Sequence, residues 1–320
     1  MEHIISFPGL GMDNFTVNEV AFRIGDNIRI VWYAIIICIG ILAAYFYAIW
    51  RGKHSEGFTE DDIINLVLFM VPISIIGARL LYVLTADDFW NTGDKWTKIF
   101  EIWNGGLAIY GALIFGAITI IVFAKINKFS IYKLLDCIAP AVMLGQIIGR
   151  WGNFMNGEAY GASANVEKLP WRMIVDGEAV HPTFLYESLW NLLGFILINI
   201  IYKKKKFDGQ IFAYYAIWYG FGRGLIELLR TDSLMASIKL MSIFGIISII
   251  LGVAIIILRR GKGRQEDAEL TEYLSRKKAT AEGIETSETA NAVQDEIIET
   301  TEEIEETKET NKENTDGNNN

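Results

Sequence analysis

Ile28 to Trp50 reads IRIVWYAIIICIGILAAYFYAIW. A helix needs about 20 predominantly apolar residues to cross the hydrocarbon core of a bilayer, and this stretch supplies them. Working outward, six further stretches have the same character: Ile63 to Leu84, Gly105 to Ile126, Ile131 to Ile148, Phe184 to Tyr202, Gln210 to Leu229 and Leu240 to Leu258. The third and fourth are separated only by Asn127 to Ser130, which reads as a tight hairpin, and the sixth is the least apolar because it holds Arg223 and Glu227. The pattern predicts an all-α integral membrane protein, a bundle of about seven transmembrane helices. Residues 1–27 contain acidic groups and Pro8 and have no basic start followed by an apolar run, so they read as an extracytoplasmic arm rather than a cleaved signal peptide.

The chain is 52% hydrophobic yet carries a net charge of -9. Gly261 to Asn320 holds 17 Asp and Glu against 7 Lys and Arg, which leaves residues 1–260 close to neutral. The acidity therefore belongs to a tail rich in Glu, Thr and Asn, which reads as a disordered segment that cannot bury enough apolar surface to offset its ordering entropy. Three regions result: the arm 1–27, a transmembrane catalytic unit 28–260 and an acidic cytoplasmic tail 261–320.

Arg51 and Lys53, then Lys125, Lys128 and Lys133, then Lys203 to Lys206, then Arg259, Arg260, Lys262 and Arg264 mark alternate loops. Lys and Arg favour the cytoplasmic side of short loops, so the N-terminus and the loop Gly152 to His181 are expected outside and the C-terminus in the cytoplasm. The run Lys203 to Lys206 is read as a topology anchor, not as a nucleic-acid patch. Cys38 and Cys137 both sit in apolar runs and read as buried, inert thiols. With three histidines and no HExxH-like spacing, no metal and no cofactor are expected.

Ionisable groups inside spans are costly and mark functional sites by default. Arg79, Asp136, Arg150, Arg223 and Glu227 are such groups, with Arg230 following the sixth span. At 100° per residue, Tyr219, Arg223, Glu227 and Arg230 share an arc of roughly 80° on one helix face. Two arginines with one carboxylate on that stripe leave a cation to be balanced, although an i,i+4 ion pair between Arg223 and Glu227 would be a purely structural explanation. The segment Gly149-Arg150-Trp151-Gly152-Asn153-Phe154-Met155-Asn156-Gly157-Glu158 combines donors and acceptors with glycines that permit an unwound or closely packed backbone. It reads as the wall of a site. Gly105, Gly106, Gly111, Gly145 and Gly149 read as packing faces, with Tyr110 beside them.

At these residues the chain resembles the prolipoprotein diacylglyceryl transferases of bacterial inner membranes. The matching blocks are Trp32-Tyr33, Gly77-Ala78-Arg79-Leu80, Gly105-Gly106-Leu107, Gly149 to Glu158 continuing to Gly161, His181-Pro182-Thr183 with Leu185-Tyr186-Glu187, and Tyr219-Gly220 with Arg223, Glu227 and Arg230. The resemblance implies a multi-pass enzyme of the bacterial cytoplasmic membrane. Such an enzyme moves the diacylglyceryl group of phosphatidylglycerol to the lipobox cysteine of a preprolipoprotein signal peptide and releases glycerol phosphate, as the first step of lipoprotein maturation. One departure stands out: where some members carry a histidine after the paired glycines, this chain has Tyr110, a poor base with an ordinary pKa of about 10 but a good hydrogen-bond donor.

That reaction needs cations around a leaving phosphate. Arg150 and Arg223 are the choices, with Tyr110 and His181 as further catalytic candidates. Asn153, Glu158, Tyr33, Gly161, Glu227, Arg230 and Arg79 are expected to line or order the substrate site, Glu227 by holding Arg223. For His181, a contact at the helix start beside Pro182 is an equal alternative. A transporter or channel, and a phospholipid-binding scaffold without catalysis, are the rival classes; no matching broken segments appear in the two halves of the chain.

Overall fold

The computed structural model describes residues 2–25, 28–86, 99–100, 105–161, 169–229 and 243–261. The arm's last residues, the loop around residues 87–98, Arg230 and nearly all of the acidic tail lie outside them. Helices occupy the apolar stretches: α1 Trp32–Arg51, α2 Glu60–Thr85, α3 Ile109–Asn127, α4 Ile131–Met155, α5 Thr183–Tyr202 and α6 Gln210–Glu227, then α7 Ile243–Gly261. All of these except α6 are long and apolar enough to cross a membrane. The exception is the segment that carries Arg223 and Glu227.

Local chemistry explains where the helices begin and end. The Thr59 hydroxyl accepts from the Asp62 N–H and the Asp62 carboxylate accepts from the Thr59 N–H, a reciprocal cap that starts α2. The hairpin between α3 and α4 turns on Lys128, which takes a left-handed φ of 59°, and Ser130 caps α4 by accepting from the Lys133 N–H.

The helices pack as α1 against α4, α2 against α3, α4 against α5 and α5 against α6. Small residues set the closest approaches, since lipid tails offer no hydrophobic drive between helices and backbone proximity must supply the packing. A Cβ at Gly111 would stand 2.2 Å from the Gly77 carbonyl oxygen, and one at Gly40 would stand 3.3 Å from that of Gly145.

Two expectations about the fold are corrected. Ile28–Val31 is not helical: it forms strand β4, paired antiparallel with β3 (Val20–Ile24), and the first helix begins at Trp32. The chain is also not all-α. Strands β1 (Glu2–Phe7) and β2 (Met12–Asn18) join β5 (Met173–Val175) and β6 (Glu178–Val180) in an antiparallel sheet of order β2-β1-β5-β6. Ile5, Phe7, Val17, Met173, Val175, Val180 and Phe184 form its apolar core, against which Phe154 and Met155 pack. The arm and the loop before α5 are thus one β cap on the ends of α4 and α5. Of the two backbones that the α4 glycines permit, the closely packed one is present: the helix continues to Met155, and a Cβ at Gly152 would stand 2.9 Å from the Tyr33 ring.

The opposite end of the bundle holds a buried polar cluster. Arg51 is fully buried; its guanidinium donates to the Tyr47 hydroxyl at 2.7 Å and the Ser55 hydroxyl at 3.3 Å and lies 3.8 Å from the centre of the Tyr202 ring. Lys205, within the run read from the sequence as a topology anchor, has a side chain only 8% exposed and reaches Glu56 at 2.7 Å, Asp136 at 3.0 Å and Asp208 at 3.3 Å. Asp136 also accepts the backbone N–H groups of Gly209 at 2.7 Å and Phe212 at 2.8 Å, capping the start of α6 from α4. Of the cysteines, Cys137 is buried as expected, but Cys38 faces outward.

Removing one partner of a buried ion pair leaves its counter-charge uncompensated, a loss of about 3–5 kcal/mol. Lys205→Met is therefore expected to lower the thermal unfolding midpoint of the detergent-solubilised protein markedly, and adding Glu56→Gln should recover part of the loss. An unchanged midpoint in Lys205→Met would contradict the ion-pair role.

Candidate active site

Three helix ends converge below the β cap. The last turns of α4 present Arg150 and Asn153, the first turns of α5 present Glu187, and the second half of α6 presents Arg223 and Glu227. One Glu187 oxygen pairs with Arg150 Nη2 at 2.6 Å and the other with Arg223 Nη1 at 2.7 Å. Glu227 pairs with Arg223 Nη2 at 2.7 Å from one turn along the same helix. Glu187 and Glu227 are almost fully enclosed, and Arg223 is 7% exposed. Arg150 and Arg223 are 73 positions apart in the chain, and one carboxylate holds them side by side.

From Arg150 a polar relay runs toward the cap. Its Nη1 donates to Asn153 Oδ1 at 3.4 Å, and Asn153 and Asn156 both donate to Glu158 Oε1, at 3.1 and 3.2 Å. The Tyr33 hydroxyl lies within the electrostatic reach of both Glu158 and Arg150. The Tyr33 ring rests on Gly152, where a Cβ would come within 2.9 Å of it. On the other side of Arg223 a small cavity opens, lined by Glu187, Trp190, Asn191, Tyr219, Gly222, Arg223 and Ile226.

A family model described as "Prolipoprotein diacylglyceryl transferase" matches residues 19–258. The chain belongs to the prolipoprotein diacylglyceryl transferase family. It is 44% identical over 259 residues to a phosphatidylglycerol–prolipoprotein diacylglyceryl transferase of Lysinibacillus sphaericus, covering 77% of this chain and 93% of that protein. To the protein of the same name in Bacillus licheniformis it is 41% identical over 260 residues, covering 78% and 95%. For that of Streptococcus suis the figures are 43% over 254 residues, 77% and 94%.

Within this diacylglyceryl transferase framework the remaining candidates fall into two groups. Tyr110 stacks on Phe244 of α7, ring centres 4.4 Å apart, and feels the charges of Arg223 and Glu227, so it borders the arginine cluster. His181 follows β6; its Nδ1 sits 3.2 Å from the Tyr186 hydroxyl, and burial draws its pKa below the ordinary imidazole value. The His181 carbonyl accepts the Gly161 N–H at 2.9 Å, and a Cβ at Gly161 would stand 2.6 Å from that of His181. Gly161 is thus tied to His181 by close backbone approach.

Arg79 belongs to neither group. Its guanidinium donates to the carbonyls of Ile99 at 3.0 Å, Gly105 at 2.8 Å and Gly106 at 2.9 Å, pinning the turn that leads into α3. Both glycines have left-handed backbones, φ 83° and 73°, and a Cβ at Gly106 would strike Arg79 Nη1 at 2.5 Å.

Glu187 is not among the intramembrane charges read from the sequence, where it stands only within the HPT-x-LYE block, although an acid four residues into an apolar helix is the same signal that singles out Arg223 and Asp136. Its presence also alters the charge balance, because Arg223 faces two carboxylates rather than one.

If Arg79 acts by pinning backbone, Arg79→Ala should destabilise the protein, by about 1.5–3 kcal/mol for each charged hydrogen bond left unreplaced. The KM for lipid in correctly folded protein should change little. A raised lipid KM at wild-type stability would return Arg79 to the substrate site.

Proposed function

We propose that the chain transfers the diacylglyceryl group of phosphatidylglycerol to the lipobox cysteine of a prolipoprotein, with Arg150 and Arg223 as the phosphate-binding pair. The observation that carries the reading is the carboxylate bridge: Glu187 holds two guanidiniums around one anion in an enclosed site, inside the segment matched by the family model. A guanidinium has five N–H donors in a planar fork, so both arginines keep donors for a phosphate beside Glu187.

In the reaction the cysteine sulfur attacks the glycerol carbon that carries the phosphate. A C–S bond forms as the C–O bond breaks, the electron pair leaves on the phosphate oxygen, and glycerol phosphate departs. The charge that builds on that oxygen is what Arg150 and Arg223 stabilise. Glu187 and Glu227 hold the guanidiniums in place beforehand, so little reorganisation is left for the transition state. The thiol has an ordinary pKa of about 8.5, and nearby cations favour its thiolate. Burial lowers the His181 pKa, which favours the neutral imidazole that can accept the proton. Asn153, Glu158 and Tyr33 orient Arg150 and the lipid head group, Gly161 shapes the wall beside His181, and Tyr110 donates a hydrogen bond from the α3 side. Arg230 is proposed to add positive charge beyond Glu227.

The alternation of basic loops supports seven spans in the bacterial cytoplasmic membrane, with the β cap outside and the C-terminus inside. On this reading the catalytic unit is 28–260 and the acidic tail is dispensable, consistent with a family match that stops at residue 258. Transport is disfavoured by the same match.

Incubating the purified protein with labelled phosphatidylglycerol and a lipobox peptide tests the activity, which labelled thioether product would establish. Lysine keeps the charge but loses the fork, so Arg150→Lys and Arg223→Lys should fold yet lose most turnover, with a smaller effect on lipid affinity. Near-normal transfer by either variant would remove that arginine from the phosphate site. Tyr110→Phe should slow transfer, by about 100-fold if the hydroxyl moves a proton and by less if it only donates a hydrogen bond. Tyr110→His should retain much of the rate, and a Phe variant with wild-type turnover would leave the hydroxyl no part in the chemistry.

A further inference from the structure

The contact between α5 and α6 is built around two tryptophans that the reaction itself does not call for. Trp190 of α5 and Trp218 of α6 stack face to face, ring centres 4.3 Å apart and planes 15° from parallel. Each indole donates to the other's backbone: Trp190 Nε1 to the Trp218 carbonyl at 3.1 Å, and Trp218 Nε1 to the Trp190 carbonyl at 3.0 Å. The exchange is reciprocal, so it fixes both the separation and the register of the two helices.

Two glycines make the exchange possible. A Cβ at Gly222 would stand 2.0 Å from Trp190 Nε1, and one at Gly194 would stand 2.2 Å from Trp218 Nε1. Each glycine lies four residues beyond the tryptophan on its own helix, the position whose N–H uses that tryptophan's carbonyl in a regular α-helix. The carbonyl can take the second, indole donor because no side chain stands over it.

The staple lies against the arginine cluster. Glu187 is one turn before Trp190 on α5, and Arg223 is five residues after Trp218 on α6. The Trp190 ring lines the small cavity with Glu187 and Arg223, whereas Trp218 is absent from its lining. The bridge from Glu187 to Arg223 at 2.7 Å therefore depends on the register that the indole pair sets.

We infer that the Trp190–Trp218 pair positions Glu187 against Arg223, so that Trp218, without touching substrate, governs how well the two arginines are held for the leaving phosphate. This rests on the reading of Arg150 and Arg223 as the phosphate site. Misplacement of a catalytic group by about 1 Å can cost up to about 100-fold in rate. A phenyl ring in place of either indole keeps an aromatic face but removes the donor.

The test compares wild type, Trp218→Phe, Glu187→Gln and the double variant in full-length purified protein. Lipid KM and kcat, the thermal midpoint and the near-ultraviolet circular dichroism of the stacked indoles would be measured for each. Trp218→Phe is expected to lose the indole couplet and to lower kcat about tenfold or more, with the lipid KM little changed and the protein still folded at the assay temperature. Glu187→Gln should also lower kcat, and the double variant should be no slower than Glu187→Gln alone, because the staple acts through that carboxylate. Where Trp218→Phe yields no folded protein, Gly194→Ala, which displaces the Trp218 indole, takes its place. A wild-type protein without the couplet, a Trp218→Phe variant with normal kcat, or independent multiplying losses in the double variant would each overturn the inference. Normal turnover in Glu187→Gln and Arg223→Lys would instead overturn the phosphate-site reading beneath it.

Discussion

One carboxylate shared by two arginines is the interaction on which the rest of this structure depends. In a segment shielded from water an isolated charge is too costly to keep, so Arg150, Arg223, Glu187 and Glu227 each require an opposite charge at hydrogen-bond distance. Meeting that requirement brings the end of α4, the start of α5 and the second half of α6 to one point. The same requirement explains why α6 can be the least apolar of the helices: Arg223 is neutralised by Glu227 on its own helix and by Glu187 of α5.

The two ends of the bundle answer this constraint differently. Around Lys205 the polar groups are closed on themselves. Glu56, Asp136 and Asp208 surround one ammonium, and Asp136 uses its remaining capacity to cap α6. Around Arg150 and Arg223 the ion pairs border a cavity, and a relay of Asn153, Asn156 and Glu158 leads out beneath the β cap. The closed end thus contrasts with an end whose ion pairs border a small cavity.

The presence of Tyr110 where some family members have histidine fits this division of labour. On the proposed reading the charge work falls to the arginines and their carboxylates, and a phenol stacked on Phe244 beside them would supply a directional donor without adding charge. His181, on the cap side and drawn toward its neutral form by burial, is the proposed proton acceptor and sits on a different element.

The sequence by itself determined the helical spans, the α3–α4 hairpin, the separation of an acidic tail from a nearly neutral body and the family, because these rest on local apolar runs, turn residues and contiguous motif blocks. It also exposed Arg150, Arg223, Glu227 and Asp136, since a charge in an apolar run is visible without a fold. Only the tertiary structure decided what each charge faces. Glu187 as the bridge, Lys205 as a buried counter-ion and Arg79 as a backbone clamp all depend on partners 20 to 149 positions away, which no local pattern encodes. The β cap was hidden for the same reason: its strands are short and come from segments more than 150 residues apart, so their pairing of Ile5 with Val175 becomes legible only when the helices have brought the two segments together.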